Sequence, residues 1–298
     1  MPDHASSSTR PGGDALLGIG FVLVWCTGYI AGKLVVAHAA PLTSLAMRFA
    51  IAALLFGAGS LLARVPRCSR ADLWHSAVTG TLMLALHFGA VYVSFRMGAN
   101  AGVSALVIGA MPLLVALVAT LDGSERLGLW RWTGMALGLL GVVLVVADRV
   151  DGATPLAAWG MLVLGLVGIT AGTLYQKRHA AHLDMRLALT IQNGAAALVL
   201  LPFALWEGFR FDNTFDFYGS MAWLVLVNSI GGFALLFLLI RRGAATQVAA
   251  LFFLMPPVTA VFGHFTLGEH LTWLKGAGFA CAAFGVWLAT RPQGAQDD

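Results

Sequence analysis

Residues 111–142 read MPLLVALVATLDGSERLGLWRWTGMALGLLGV, and residues 255–286 read MPPVTAVFGHFTLGEHLTWLKGAGFACAAFGV. The two stretches superpose without a gap at a shift of 144 positions (255 − 111). Met111-Pro112 falls on Met255-Pro256, Glu125 on Glu269, Gly134 on Gly278, and Gly141-Val142 on Gly285-Val286. Toward the front, the same shift pairs Gly28 with Gly172, Lys33 with Lys177 and His38 with His182. Glycine matches come cheaply in apolar helices; the Met-Pro pair, the glutamate and the unbroken register do not. We read a duplication of residues 15–148 in residues 157–290, joined by a loop at 149–156 and flanked by polar tails at 1–14 and 291–298.

The composition says where this duplicated chain resides. Of 298 residues, 59% are apolar and 11% charged, with a mean hydropathy of +0.82. Soluble domains carry roughly 25% charged residues. So few charges cannot cover a water-facing surface, so much of it must face lipid. A span needs roughly 20 apolar residues. The expected helices are about 15–37, 42–63, 73–95, 101–121 and 130–147, then 157–176, 186–206, 218–240, 245–265 and 271–290. The predicted fold is therefore an all-α membrane protein of ten transmembrane helices. Arg10 before an apolar run and Ala37-His38-Ala39 imitate a signal peptide. The run from Ala15 to Val36 is too long for one, carries Trp25, Tyr29 and Lys33, and has a counterpart in the second half, so we read it as a retained helix.

Orientation follows from the cations. With the N-terminus in the cytoplasm, that side holds Arg10, Arg64, Arg67, Arg70, Arg126, Arg131, Lys177, Arg178, Arg186, Arg241, Arg242 and Arg291. The opposite side receives Lys33, Arg48, Arg96, Arg149, Arg210 and Lys275. Twelve against six obeys the positive-inside rule and places both termini in the cytoplasm of an inner-membrane protein. Five spans per half is odd, so the second half enters from the other face. Such inverted repeats are an architecture of secondary transporters, because two similar halves can exchange inward-open and outward-open states.

Several chemistries are excluded or unsupported. The fourteen acidic residues fall in tails, loops or helix ends, which argues against ion coupling through a mid-membrane carboxylate. No P-loop, metal-ligand spacing or redox cysteine pair is present; Cys26, Cys68 and Cys281 read as structural. The expectation is therefore no cofactor, no metal, no nucleic acid, and a monomer whose partners are lipid and a small-molecule substrate.

Candidate binding groups lie on a few helices. Trp25, Tyr29 and Lys33 follow at four-residue spacing, offering apolar faces with polar tips to a solute, or else ordinary packing with a snorkelling lysine. Thr170, Thr173 and Lys177 form the matching stripe in helix 6, with Tyr175 and Gln176 nearby. His87 shares a face with Gly80 and Ser94 and reads equally as a titrating cavity group or as a histidine bonded to a backbone carbonyl. Asn228, with Ser229, is expected to face His87 across the repeat axis. Arg48 serves either a substrate carboxylate or the tying of helix ends through carbonyls. Its repeat partner Gln192 cannot serve a charge, which favours the structural role. Glu125 and Glu269 each precede a helix and read as caps of that helix. Pro112 and Pro256 are expected to break helices 4 and 9, freeing the carbonyls of Ile108 and Phe252. Ser104 with His264 or His87 is a remote hydrolase dyad, without an oxyanion-loop motif.

The pattern resembles the EamA type of the drug/metabolite transporter superfamily. The resemblance rests on Trp25-Cys26-Thr27-Gly28, Arg48-Phe49, the two Met-Pro pairs with their glutamates, and a glycine-rich last helix in each half. It spans essentially residues 15–290. It implies two inverted five-helix repeats around a central cavity, lined mainly by helices 1, 3, 4, 6, 8 and 9, and export of amino acids or other metabolites. Tyr92, Met111 and Gln247, on helices 3, 4 and 9, join the candidate substrate-binding set with Trp25, Tyr29, His87, Thr173, Tyr175, Asn228 and Ser229. A drug or nucleoside-like solute is the alternative cargo, and a non-transporting scaffold a remote one. Asp122-Gly123-Ser124-Glu125 is more polar than Leu267-Gly268-Glu269, so the two glutamates need not share a role.

Overall fold

The computed structural model describes residues 11–121, 128–147, 154–180, 182–241 and 254–290. Among these the regular structure is helical, apart from an isolated bridge between Ala39 and Phe211. Helix α1 is Pro11–His38 and α2 is Pro41–Leu62. Helix α3 runs as Arg70–Gly80, a π-helical stretch Thr81–Leu86, and His87–Arg96. Helix α4 is in two pieces, Ala101–Gly109 and Met111–Leu121, and α5 is Leu129–Ala147. In the second half, α6 is Leu156–His179 and α7 is Met185–Trp206. Helix α8 runs as Phe215–Ala222, a π-helical stretch Trp223–Gly231, and Gly232–Arg241. Helix α9 is Met255–Leu267, and α10 is Trp273–Thr290. Among the described residues six helices, in α1, α2, α3, α6, α7 and α8, are long and apolar enough to cross a membrane; Ala101–Val115 and Trp132–Gly141 are shorter apolar stretches.

Local sequence explains the boundaries. Pro41 opens α2, where its missing N–H costs nothing. Ser69 caps α3 in a reciprocal box with Asp72: the Asp72 N–H donates to Ser69 Oγ and the Ser69 N–H to Asp72 Oδ2, both at 3.1 Å. Helices α2, α3 and α7 end on left-handed residues, Arg64 (φ 52°), Gly98 (φ 97°) and Gly208 (φ 85°). Each end closes with paired bonds back to the last turn, as Val65 N–H to Ser60 O and Phe209 N–H to Ala204 O. The split in α4 falls at Ala110, immediately before Met111-Pro112, where the Pro112 ring cannot continue the ladder. Phe252, whose carbonyl Pro256 was expected to free, lies outside the described residues.

The halves pack reciprocally. A Cβ on Gly141 would fall on Gly278 and Ala282, and one on Gly285 would fall on Gly134 and Gly138. These contacts exchange i and i + 144 (134 and 278, 141 and 285), and the contact positions descend along α10 as they rise along α5. The two helices are therefore antiparallel and related by an approximate two-fold axis. Cys281 Sγ, 3.4 Å from Leu137 O, sits near that axis. Helices α2 and α7 behave alike: Thr43 reaches Ala204 O (3.5 Å), and Ser60 lies 3.4 Å from Thr190. The two π-helical stretches also occupy corresponding positions, since 81–86 shifts to 225–230.

Burial is organised as lipid requires. A core of Phe49, Tyr92, Phe95, Leu162, Phe217 and Leu224 lies inside, while Leu54, Leu61, Leu62, Leu198 and Phe203 stand on the outside. Exposed tryptophans mark the two ends: Trp74 and Trp130 at the starts of α3 and α5, Trp206 and Trp273 at the end of α7 and the start of α10.

Candidate functional site

Two polar assemblies link the halves. The first surrounds Arg48, in α2. Its guanidinium is buried, at 4% exposure, and donates from Nη1 to Tyr92 Oη of α3 (3.1 Å). From Nη2 it donates to Asn228 Oδ1 (3.2 Å) and Ser229 Oγ (3.3 Å), both in the π-helical stretch of α8. Asn228 Nδ2 in turn donates to Val24 O of α1 (2.9 Å). Four helices thus meet at one cation. Gly28 and Gly32 allow this convergence: a Cβ on Gly28 would strike the Asn228 amide, and one on Gly32 the Tyr92 ring. The Phe88 ring lies 5.0 Å from the guanidinium carbon, within cation–π range. The π-helical turn is what brings neighbouring Asn228 and Ser229 to the same arginine; such turns are frequent at functional sites.

The expected tying of helix ends by Arg48 through carbonyls is not what the structure contains. Its partners are side chains, and it lies inside the bundle.

The second assembly closes one end of the molecule. Lys33 Nζ of α1 lies 2.6 Å from Glu269 Oε1, in the turn between α9 and α10. The same carboxylate accepts from the N–H groups of Ala101 (2.7 Å) and Gly102 (3.4 Å), at the start of α4. Glu269 is therefore a cap, but of α4 in the other half rather than of α10, which follows it. Thr272 serves α10 instead, accepting from the Lys275 N–H at 3.2 Å. Lys33 pairs with an acid rather than snorkelling. The left-handed Gly268 (φ 66°) ends α9 and turns the chain, and Gly263 leaves room for the carboxylate, whose Oε2 would lie 2.6 Å from a Cβ there. At the same end Glu207 Oε2, just after α7, accepts from Leu42 N–H (3.0 Å) and Thr43 N–H (3.2 Å) of α2. Two glutamates of the second half thus cap two helices of the first, stabilised by the positive ends of the helix dipoles.

The remaining expected site residues distribute as follows. Tyr92, Asn228 and Ser229 come together at Arg48. His87 does not join them: its Nδ1 lies 3.0 Å from Gly165 O of α6. A carbonyl only accepts, so Nδ1 carries the proton. Trp25 packs edge-on against Phe233 (5.8 Å) and beside Phe21 (5.2 Å), and Tyr29 packs against the main core. Thr173 donates to Met111 Sδ at 3.7 Å, joining α6 to the α4 break. Gly109, beside that break, faces Pro256 of α9, so the two Met-Pro regions approach each other. Tyr175 sits apart, 2.8 Å from His75 Nδ1, where His75 also stacks on His179 at 4.8 Å. Gln247 and Glu125 lie outside the described residues. Ser104 Oγ donates to Asn100 O and His264 Nδ1 lies against Glu269 O, so neither makes the imagined dyad contact. Among the described residues no group of histidine, cysteine, aspartate and glutamate has the geometry to hold a metal ion.

Known proteins share this architecture. The chain is 26% identical over 272 residues to the uncharacterized inner membrane transporter YedA of Escherichia coli K12, covering 90% of this chain and 87% of YedA. It is 25% identical over 288 residues to a probable amino-acid metabolite efflux pump of Salmonella typhimurium, covering 92% and 94%. A solved crystal structure superposes with a TM-score of 0.63 at 17% identity, covering 94% of this chain and 97% of that one, which speaks for the fold alone. Residues 14–147 and 157–291 each match the EamA-like transporter family, one match per repeat. This protein is a membrane transporter and belongs to the EamA-like transporter family.

Proposed function

We propose that this protein exports small metabolites, amino acids among them, by alternating access, through ten spanning helices in two inverted five-helix repeats around a central cavity, with both termini cytoplasmic. The observation that carries this reading is the ion pair between Lys33 and Glu269. It fastens α1 and α4 of the first half to the α9–α10 turn of the second, at one end of the molecule. A tie across the seam between two repeats holds that end shut and opens when the halves rock apart. The duplicated sequence carries the same residue types at the corresponding positions, Lys177 and Glu125. One latch per end, released in turn, is what alternating access requires. The Met-Pro pairs, meeting at Gly109 and Pro256, supply the deformable points between the gates. The neutral groups around the core and the named relative's description favour amino acids as cargo.

The test is reconstitution in proteoliposomes, with labelled amino acids, amines and nucleosides offered as cargo. Glu269→Gln should leave a folded protein in which a cysteine placed at Val103 reacts faster with a membrane-impermeant reagent added outside, with altered flux of the amino acids. Unchanged reactivity together with unchanged flux would sink the latch. Movement of nucleosides alone would replace the cargo.

A further inference from the structure

Arg48 is a buried cation with no counter-charge: among the described residues no carboxylate lies within 4.0 Å of it. Its three hydrogen bonds all go to neutral side chains. A guanidinium has five N–H donors. Two are therefore unused, and one of them, on Nε, is buried without a partner. Burying an unpaired charge is costly, so a cation kept this way inside a membrane bundle marks a functional position.

The repeat sharpens the point. Shifting by 144 puts Gln192 at the place of Arg48 and Leu236 at that of Tyr92; it puts Leu84 and Ala85 at those of Asn228 and Ser229. None of the four cluster residues is duplicated, although the backbone features around them are. A helix–helix tie needed for the fold would serve both halves. A neutral amide at Gln192 occupies the corresponding seat in the second half. The cation is special to one site.

We propose that Arg48 binds the carboxylate of the transported solute, with Tyr92, Asn228 and Ser229 holding the guanidinium in place and Phe88 forming an apolar wall beside it. The proposal rests on the transport reading and names the charge class of its cargo. In the present state α1 lies over the cluster through Gly28 and Gly32. Lys33, in that same helix, is held by Glu269. Release of that end moves α1 away from the arginine, which couples access to the site with opening of the gate.

The experiment offers matched pairs: L-phenylalanine against phenethylamine, and L-leucine against isopentylamine, which lack only the carboxylate. Flux in proteoliposomes and the melting temperature of detergent-solubilised protein are both read. Wild type should prefer the acids at least about tenfold, and Arg48→Gln should cut acid flux about 10- to 100-fold while sparing the amines. Arg48→Lys should recover part of the loss, since lysine keeps the charge but not the planar fork. A folded Arg48→Gln protein that keeps the wild-type acid-to-amine ratio overturns the proposal. If Arg48→Gln does not fold, wild type decides: stabilisation by the acids alone supports it, and equal or absent stabilisation overturns it. Acids that stabilise wild type in an Arg48-dependent way but are not moved leave the binding site standing and remove the transport reading.

Discussion

The two halves agree where the backbone is concerned and differ where the chemistry is. Gly134 and Gly141 repeat as Gly278 and Gly285, the π-helical stretch of α3 repeats in α8, and the left-handed end of α2 at Arg64 repeats at Gly208. Arg48, Tyr92, Asn228 and Ser229 do not repeat. Duplication supplies two bundles that bend and pack in the same way. Departure from it supplies a site that can hold a solute with one charged end. A binding site on the axis of an exact two-fold would present the same groups twice, which suits a symmetric ligand and not a zwitterion with one apolar side.

The largest expected effect breaks the shared part. Gly141→Ala and Gly285→Ala each place a methyl within contact of the opposing helix backbone, where nothing can rotate away. Each should cost about 2–3 kcal/mol in thermal unfolding, by nearly equal amounts because the contacts are reciprocal. Gly276→Ala, in α10 with open space around it, should change stability by no more than about 0.5 kcal/mol. Equal effects of Gly276→Ala and Gly285→Ala would mean that the α5–α10 seam is not the tight contact described here.

A smaller effect probes the unshared part. Gln192 is 5% exposed and its Nε2 has no partner. Replacing it with the similarly shaped Met removes an unsatisfied donor and should leave stability unchanged or raise it by up to about 1 kcal/mol. Flux should stay at the wild-type rate. A loss of flux in Gln192→Met would make this seat a second polar subsite and erase the asymmetry between the halves.

Much of the architecture was legible because lipid imposes it. Apolar runs, charged breaks and Pro41 place the ends of the described helices within a few residues of where they lie, the expected start of helix 9 at 245 falling outside the described residues. The Met-Pro split of α4 was readable from proline chemistry alone. The site was less so. From the sequence, Gln192 at its repeat position favours a structural role for Arg48 over carboxylate binding, yet that mismatch is what marks it. The chain spacing of the interaction hides it further, since Arg48 reaches Asn228 across 180 residues. Glu269 was readable as a cap, but the capped helix lies 168 residues away rather than next in the chain. The π-helical stretches left no trace in composition: TLMLAL and WLVLVNSIG read as ordinary helix. From its helix face alone His87 reads equally as a titrating cavity group or as a histidine bonded to a carbonyl, and only the position of α6 shows that its Nδ1–H donates to Gly165 O.

The smallest effect tests how far the backbone symmetry tolerates a change of residue. Arg64 and Gly208 occupy corresponding positions just past α2 and α7, with φ of 52° and 85°. Both ends close in the same way, with the Arg64 N–H bonded to Leu61 O and the Gly208 N–H to Leu205 O, each at 3.0 Å. Glycine adopts this left-handed conformation without a Cβ penalty, whereas arginine pays for it. The Arg64 side chain is exposed, so little else is lost on removing it. Arg64→Gly should therefore stabilise by about 0.5–1 kcal/mol, and Gly208→Ala should destabilise by a similar amount. The pair is read by thermal unfolding of each variant against wild type, with flux as a control that the fold is intact. Opposite signs of similar size would establish that the two turns impose one backbone constraint on two different residues. A destabilising Arg64→Gly would mean that the arginine side chain does work at its end of the bundle that the glycine half lacks, which moves that turn from the shared list to the unshared one.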